Sequence, residues 1–231
     1  MDKTVPKPAA MLLDFIGSKE APKGYDTVYA NRMDRMPKPL PFLMLKEILD
    51  QGKWRTKTFG SSACGRYQFM DATLRDLAEE LDLKAEDRFT PDYQDRLGFH
   101  LLRCRGYDKW IKGALSDGAF MRNLAKEWAS FPVPDIVKGS SRTGARGQSF
   151  YAGHGLNKAR VPHPGSRREP RQDATGAPML LAGGMSADVG LAASITEKGR
   201  ADIDRNTFSQ CRCSEAQDVS LSRKSRYLYQ R

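Results

Sequence analysis

A single carboxylate at a break in an apolar stretch is the first feature of this sequence able to do chemistry. Met11, Leu12, Phe15 and Ile16 fall at i, i+1, i+4 and i+5, a narrow buried stripe of helical period. The pattern then stops in Gly17-Ser18-Lys19-Glu20-Ala21-Pro22-Lys23-Gly24, so the spacing predicts a helix that breaks after Ile16, with Glu20 leaving the core at the break. A carboxyl held against an apolar wall has its ionised form disfavoured, which lifts its pKa toward the range a general acid needs near neutral pH. The competing reading is a solvated loop glutamate, because most surface glutamates do nothing chemical.

Two later stretches bear on that choice. In Ser61-Ser62-Ala63-Cys64-Gly65-Arg66-Tyr67-Gln68-Phe69, small residues that let a ligand approach the backbone run into an arginine, a tyrosine and an amide. Tyr67 and Gln68 then offer a stacking face with an amide beside it, which is how sugar chains are held; the plainer reading is a loop with a core tyrosine. Trp128-Ala129-Ser130-Phe131-Pro132 ends a helix with a large aromatic that either fills the core or lines a cleft.

The elements that must position these residues are mostly helical. Thr27 to Asn31 is β-branched or aromatic and predicts a small strand or hairpin before a Pro-bearing loop through Pro41. Phe42, Leu45, Ile48 and Leu49 predict an amphipathic helix closed by Gly52, and the polar residues 53–62 read as loop or strand. From about Phe69 to Leu83, Leu74, Leu77, Ala78 and Leu81 share one face of a helix. Thr90-Pro91-Asp92 is a helix start, with the helix running to Cys104 or Arg105 and Gly106 supplying the left-handed residue after it. Ser116-Asp117 starts another, carrying Phe120, Leu124 and Trp128 on one face until Pro132 stops it. A Gly, Ser and Arg-rich loop then leads to Ser149–Gly153 and a last short segment ending near Lys158.

Composition divides the 231 residues into a core unit, 1–160, and a tail, 161–231. The tail opens on Pro162, Pro164 and Pro170, holds three aromatics and no sustained period, and is expected to be poorly ordered. Such a contrast fits a distinct appendage or translation in a shifted frame. Lys plus Arg number 38 against 28 acids, a net charge of +10 that suits a polyanionic partner. No helix-turn-helix, zinc-finger or basic-aromatic pattern accompanies that charge, so an anionic cell-wall surface is expected rather than nucleic acid. No run is long enough to span a membrane, and Met1 to Ala10 with the apolar run cut by Asp14 shows no recognisable export signal. Cys64, Cys104, Cys211 and Cys213 follow no framework spacing, which suggests a reduced protein; Cys211-Arg212-Cys213 reads as incidental. His100, His154 and His163 are scattered and suggest no metal, and no cofactor is expected.

Taken together in order, Ser18 and Glu20, Gly24-Tyr25-Asp26, Gly65-Arg66-Tyr67-Gln68, Gln94-Asp95 after Phe89-Thr90-Pro91, and Trp128-Ala129-Ser130 with Pro132 resemble the bacteriophage lambda endolysin family at similar spacing. The resemblance covers roughly Met11 to Lys158, and an ordered series of short motifs is far more specific than any one of them. It implies an α+β, mainly helical, lysozyme-like fold in which a small β region flanks a groove for the glycan strands of peptidoglycan. By the same resemblance Glu20 matches the catalytic acid, and Tyr67 and Gln68 match the glycan-contacting motif, with Ser18, Tyr25, Asp26, Arg66 and Trp128 as further substrate-binding residues. One departure stands out: the family usually has an aromatic, Ser and Glu in succession, whereas Lys19 separates Ser18 from Glu20 here. Such an insertion can turn the carboxylate out of register. Cys64 also stands where a small Gly or Ala is usual.

The resemblance favours a lytic transglycosylase acting on the bond between N-acetylmuramic acid and N-acetylglucosamine, which needs one acid. A hydrolytic muramidase needs two carboxylates, and Asp26 or Asp34 would be the second. For Asp26 a structural role, fixing the strand turn, is preferred. A non-catalytic glycan- or nucleic-acid-binding protein is the reading from a different class. A monomer is expected, held in the cytoplasm until a membrane pore gives it access to the wall.

Overall fold

The computed structural model describes residues 1–139, 143–152 and 159–161. Its architecture is mainly helical: α1 Lys7–Glu20, α2 Leu45–Asp50, α3 Gly52–Phe59, α4 Asp71–Glu80, α5 Pro91–Cys104, α6 Tyr107–Ile111 and α7 Asp117–Glu127. Strands β1, Val137–Lys138, and β2, Thr143–Gly144, form a two-stranded antiparallel pair with Val137 opposite Gly144. Among the described residues no helix is long and apolar enough to cross a membrane.

α1 does not break after Ile16. Helical hydrogen bonding continues through Gly17, Ser18 and Lys19, and the N–H of Ala21 still donates to the Gly17 carbonyl. A mid-helix glycine ordinarily weakens a helix by about 1 kcal/mol. Here it is kept by a close approach, because a Cβ on Gly17 would lie 2.5 Å from Nε of Arg66. The Arg66 guanidinium crosses α1 at that point and reaches Asp14 through Nη2 at 3.1 Å.

Two other expectations change. The stretch 53–62, read as loop or strand, carries α3, because Arg55 and Phe59 lie one turn apart and both turn into the core. Arg55 is fully buried and donates to the carbonyls of Ile48 and Ser62, so a polar residue supplies the inward face that hydropathy patterning looks for in vain. Thr27 to Asn31 forms no hairpin. Val28 makes a single bridge to Cys64, Cys64 another to Phe69, and Tyr29–Asn31 is a 3-10 turn with Ala30 and Asn31 at positive φ. Phe42, expected in a helix face, sits in the preceding 3-10 turn and is exposed.

The capping signals match the structure closely. Thr90 Oγ1 accepts from the N–H of Tyr93 ahead of α5, Ser116 Oγ accepts from Ala119 N–H ahead of α7, and Gly106 has φ +94°. Leu12, Leu13 and Ile16 of α1 join Leu97, Leu101 and Leu102 of α5 in one apolar core. That core also holds an edge-to-face aromatic run through Tyr67, Phe69, Phe89 and Tyr93. Gly153 to Lys158 and the tail from Pro162 lie outside the described residues.

Candidate active site

Glu20 is the last residue of α1, and its carboxylate meets the segment that leaves α7. Oε1 accepts two hydrogen bonds from Ser130, one from the backbone N–H at 3.1 Å and one from Oγ–H at 2.6 Å. Burial is the main influence on this carboxyl and pushes its pKa above the usual glutamate value. The Ser130 hydrogen bonds and the positive charge of Arg160 oppose that rise without cancelling it, while the charge of Glu127 adds to it.

Lys19 does not displace Glu20 from this partner. Its ammonium lies 4.9 Å from the centre of the Phe15 ring, one turn back along α1, and that ring packs edge-on against Phe131. The extra residue is taken up by the helix itself, which runs on to Glu20. Ser130 is fixed from the other side, where its carbonyl accepts the N–H groups of Arg160 and Val161 at 2.7 and 3.0 Å. Arg160 also donates through Nη1 to the carbonyl of Lys19, so the segment 159–161 lies across the junction of the two stretches.

The stretches 24–26 and 65–68 are held together by two neighbouring residues of α5. Gln94, fully buried, donates to the carbonyls of Tyr25 and Phe89 and accepts from Arg66 N–H at 2.9 Å. Gly65 sits at φ +78°, and a Cβ there would come within 2.4 Å of Gln94 Oε1, so the turn admits only glycine. Asp95, also fully buried, accepts from the hydroxyls of Tyr25 and Tyr67 on Oδ1 and from Asp2 N–H on Oδ2. Burial and the nearby Asp95 carboxylate hold both tyrosines in their neutral, donating form.

Each residue singled out in the sequence has a defined place. Tyr67 is only 1% exposed, so its ring is covered rather than presented as a stacking face. Trp128 is 2% exposed and donates from Nε1 to the Tyr67 carbonyl at 3.2 Å, which ties the end of α7 to the same loop. Gln68, at φ +48°, donates its amide to Gly65 O and Thr27 O. Ser18 is exposed, its hydroxyl returned to the Phe15 carbonyl. Tyr25 and Arg66 stack, with the guanidinium carbon 5.1 Å from the ring centre. Asp26 accepts the N–H of Leu40 at 2.6 Å, and Asp34 is a surface residue whose side chain is 71% exposed. Among the described residues no cluster of metal-ligating groups forms around Glu20.

Ser130, Gln94 and Asp95 are among the residues of this arrangement that received no role from the sequence. Each lies inside a motif, but side-chain type alone does not say which buried donor or acceptor it will meet. A family model described as Endolysin matches residues 17–155, a span that contains Glu20, Ser130, Gln94, Asp95 and the stretches 24–26 and 65–68. No curated protein and no solved structure matches the chain.

Proposed function

The chain belongs to the endolysin family, the peptidoglycan-degrading enzymes of phages, and from that premise we propose that it acts as a lytic transglycosylase with Glu20 as its one acid. The bond cleaved in this reading is the β-1,4 link between N-acetylmuramic acid and N-acetylglucosamine. The observation that carries it is the half-buried carboxyl of Glu20 with both Ser130 donors on a single oxygen. Oε1 then acts as the acceptor in either protonation state, which leaves Oε2 to carry the proton. A carboxyl whose pKa is raised by burial keeps that proton to a higher pH than an ordinary glutamate, as a general acid must.

In the proposed reaction Oε2–H of Glu20 protonates the glycosidic oxygen, and the bond to the anomeric carbon breaks. The acetamido group of the muramic sugar assists from its own ring. The carboxylate so formed takes the proton of the sugar's 6-hydroxyl as that oxygen closes on the anomeric carbon, giving an anhydro end and restoring the acid. Ser130 orients the carboxyl and moderates its basicity. Tyr25, Arg66 and Gln68 border the loop and are assigned to glycan contact with Ser18, while Tyr67 and Trp128 support that contact from beneath. The net charge of +10 would hold the enzyme on an anionic wall.

The single-acid route is favoured over hydrolysis by the state of the two other carboxylates. Asp26 is engaged by the backbone of Leu40, and Asp34 lies in solvent beside Arg32. Mass spectrometry of fragments released from purified peptidoglycan tests the choice. Ends lighter by one water than the hydrolysed sugar are expected; reducing ends would assign the reaction to water and to Asp26 or Asp34 as second carboxylate.

A further inference from the structure

Away from Glu20, three side chains with metal-ligating atoms converge where two helices end. Glu80 is the last residue of α4, Cys104 the last of α5, and His100 lies one turn before Cys104. The i, i+4 spacing puts imidazole and thiol on one face of α5. A carboxylate oxygen of Glu80, a ring nitrogen of His100 and Sγ of Cys104 all lie within 4.8 Å of one another, and His100 Nε2 is 3.2 Å from Glu80 Oε1. All three side chains are half-buried.

That spacing is close to what a tetrahedral ion requires. Bonds of about 2.0–2.3 Å to oxygen, nitrogen and sulfur set neighbouring ligand atoms roughly 3.3–3.7 Å apart. The carboxylate-to-imidazole distance already fits, and the thiol, no more than 4.8 Å from either atom, closes the triangle on binding. Both helices also direct their carboxyl ends toward the cluster, and the partial negative charge there favours a cation. The 3.2 Å imidazole–carboxylate contact and the thiol one turn further along α5 bring oxygen, nitrogen and sulfur ligand atoms to one point.

We propose that Glu80, His100 and Cys104 bind a zinc-type divalent ion, with the fourth position open to water. One thiolate and one imidazole select such an ion over magnesium or calcium, which take oxygen ligands. On binding, the Cys104 thiol gives its proton to solvent, and the charges of thiolate, carboxylate and ion sum to zero. The ion ties the end of α4 to the end of α5 and takes no part in glycan cleavage. Sequence spacing hides the site, because its ligands come from two helices and form no short motif.

Cobalt(II) added to the reduced full-length chain is the probe. The parent for the test carries Cys211→Ser and Cys213→Ser, which removes the other closely spaced thiols. A thiolate-to-cobalt charge-transfer band and strong tetrahedral visible bands are expected, both bleached by zinc. Adding Cys104→Ser should remove the charge-transfer band, and His100→Gln should weaken cobalt binding while leaving the far-ultraviolet circular dichroism unchanged. Zinc should raise the melting temperature of the parent but not of either variant. No band in the parent, or a charge-transfer band kept after Cys104→Ser, overturns the proposal. If Cys104→Ser does not fold, unaltered cobalt affinity in His100→Gln overturns it alone.

Discussion

Asp95 is a fully buried carboxylate and Glu20 a half-buried one, and the donors around them differ in number and direction. Asp95 receives donors on both oxygens, from two tyrosine hydroxyls and a backbone N–H brought from three separate stretches. Among the described residues Glu20 receives its donors from one serine, and both reach the same oxygen. A carboxylate satisfied on both sides is an anchor whose loss loosens everything tied to it. One satisfied on a single side and pushed toward protonation is poised to hand over a proton. The two sites are also connected: Asp95 and Gln94 fix the loop whose Tyr67 carbonyl holds Trp128, and Trp128 lies two residues before Ser130.

The contrast breaks first at Glu20. Glu20→Gln should lower the rate of peptidoglycan cleavage by about 10²–10⁴-fold, the usual contribution of a positioned acid. Its stability should move the other way. Between the ordinary glutamate pKa and the raised value in the fold, the native state keeps a proton that the unfolded chain releases, so wild-type stability falls as pH rises through that interval. Glutamine does not titrate, so the variant should melt higher than wild type at neutral pH and lose that advantage in acid; a lower melting point at neutral pH would contradict the account of Glu20.

Asp95→Ala should do the reverse, costing about 2–5 kcal/mol in denaturant unfolding because buried hydroxyls and an N–H lose their acceptor. Any loss of activity should then follow the loss of folded protein. Ser130→Ala is a smaller change: it keeps the backbone N–H and removes the hydroxyl, so cleavage should slow by about tenfold. Because that hydroxyl lowers the Glu20 pKa, its removal should carry the alkaline limb of the pH–rate profile to higher pH. Smallest of all is Asp26→Asn, which keeps an acceptor for Leu40 N–H and should leave the cleavage rate near wild type. A large loss there would move Asp26 from the anchors to the chemistry.

How much of this was readable from the sequence varies by residue. The caps Thr90, Ser116 and Gly106 were legible because capping depends on a local side chain and a local backbone. The mainly helical fold and the Endolysin match agree with the order of short motifs between Ser18 and Pro132. The helix through Gly17 was not legible, since the reason for that glycine is the Arg66 side chain crossing from a loop 49 residues later. α3 has no apolar stripe to read because its inward face carries a buried arginine, whose Nε and Nη1 donate to the carbonyls of Ser62 and Ile48. Residue types leave Tyr67 either a presented ring or a core tyrosine, and the structure decides for the core because Asp95 draws its hydroxyl inward, a contact that local spacing does not encode.

The most direct test of the central claim is to titrate the Glu20 carboxyl by NMR, with carbon-13 label in the side chain, beside the pH dependence of cleavage on the same preparation. The account predicts one apparent pKa, above the usual glutamate range, shared by the carboxyl signal and the alkaline limb of kcat/KM. A Glu20 signal that titrates in the ordinary range, or a limb that does not coincide with it, would mean that another group supplies the proton.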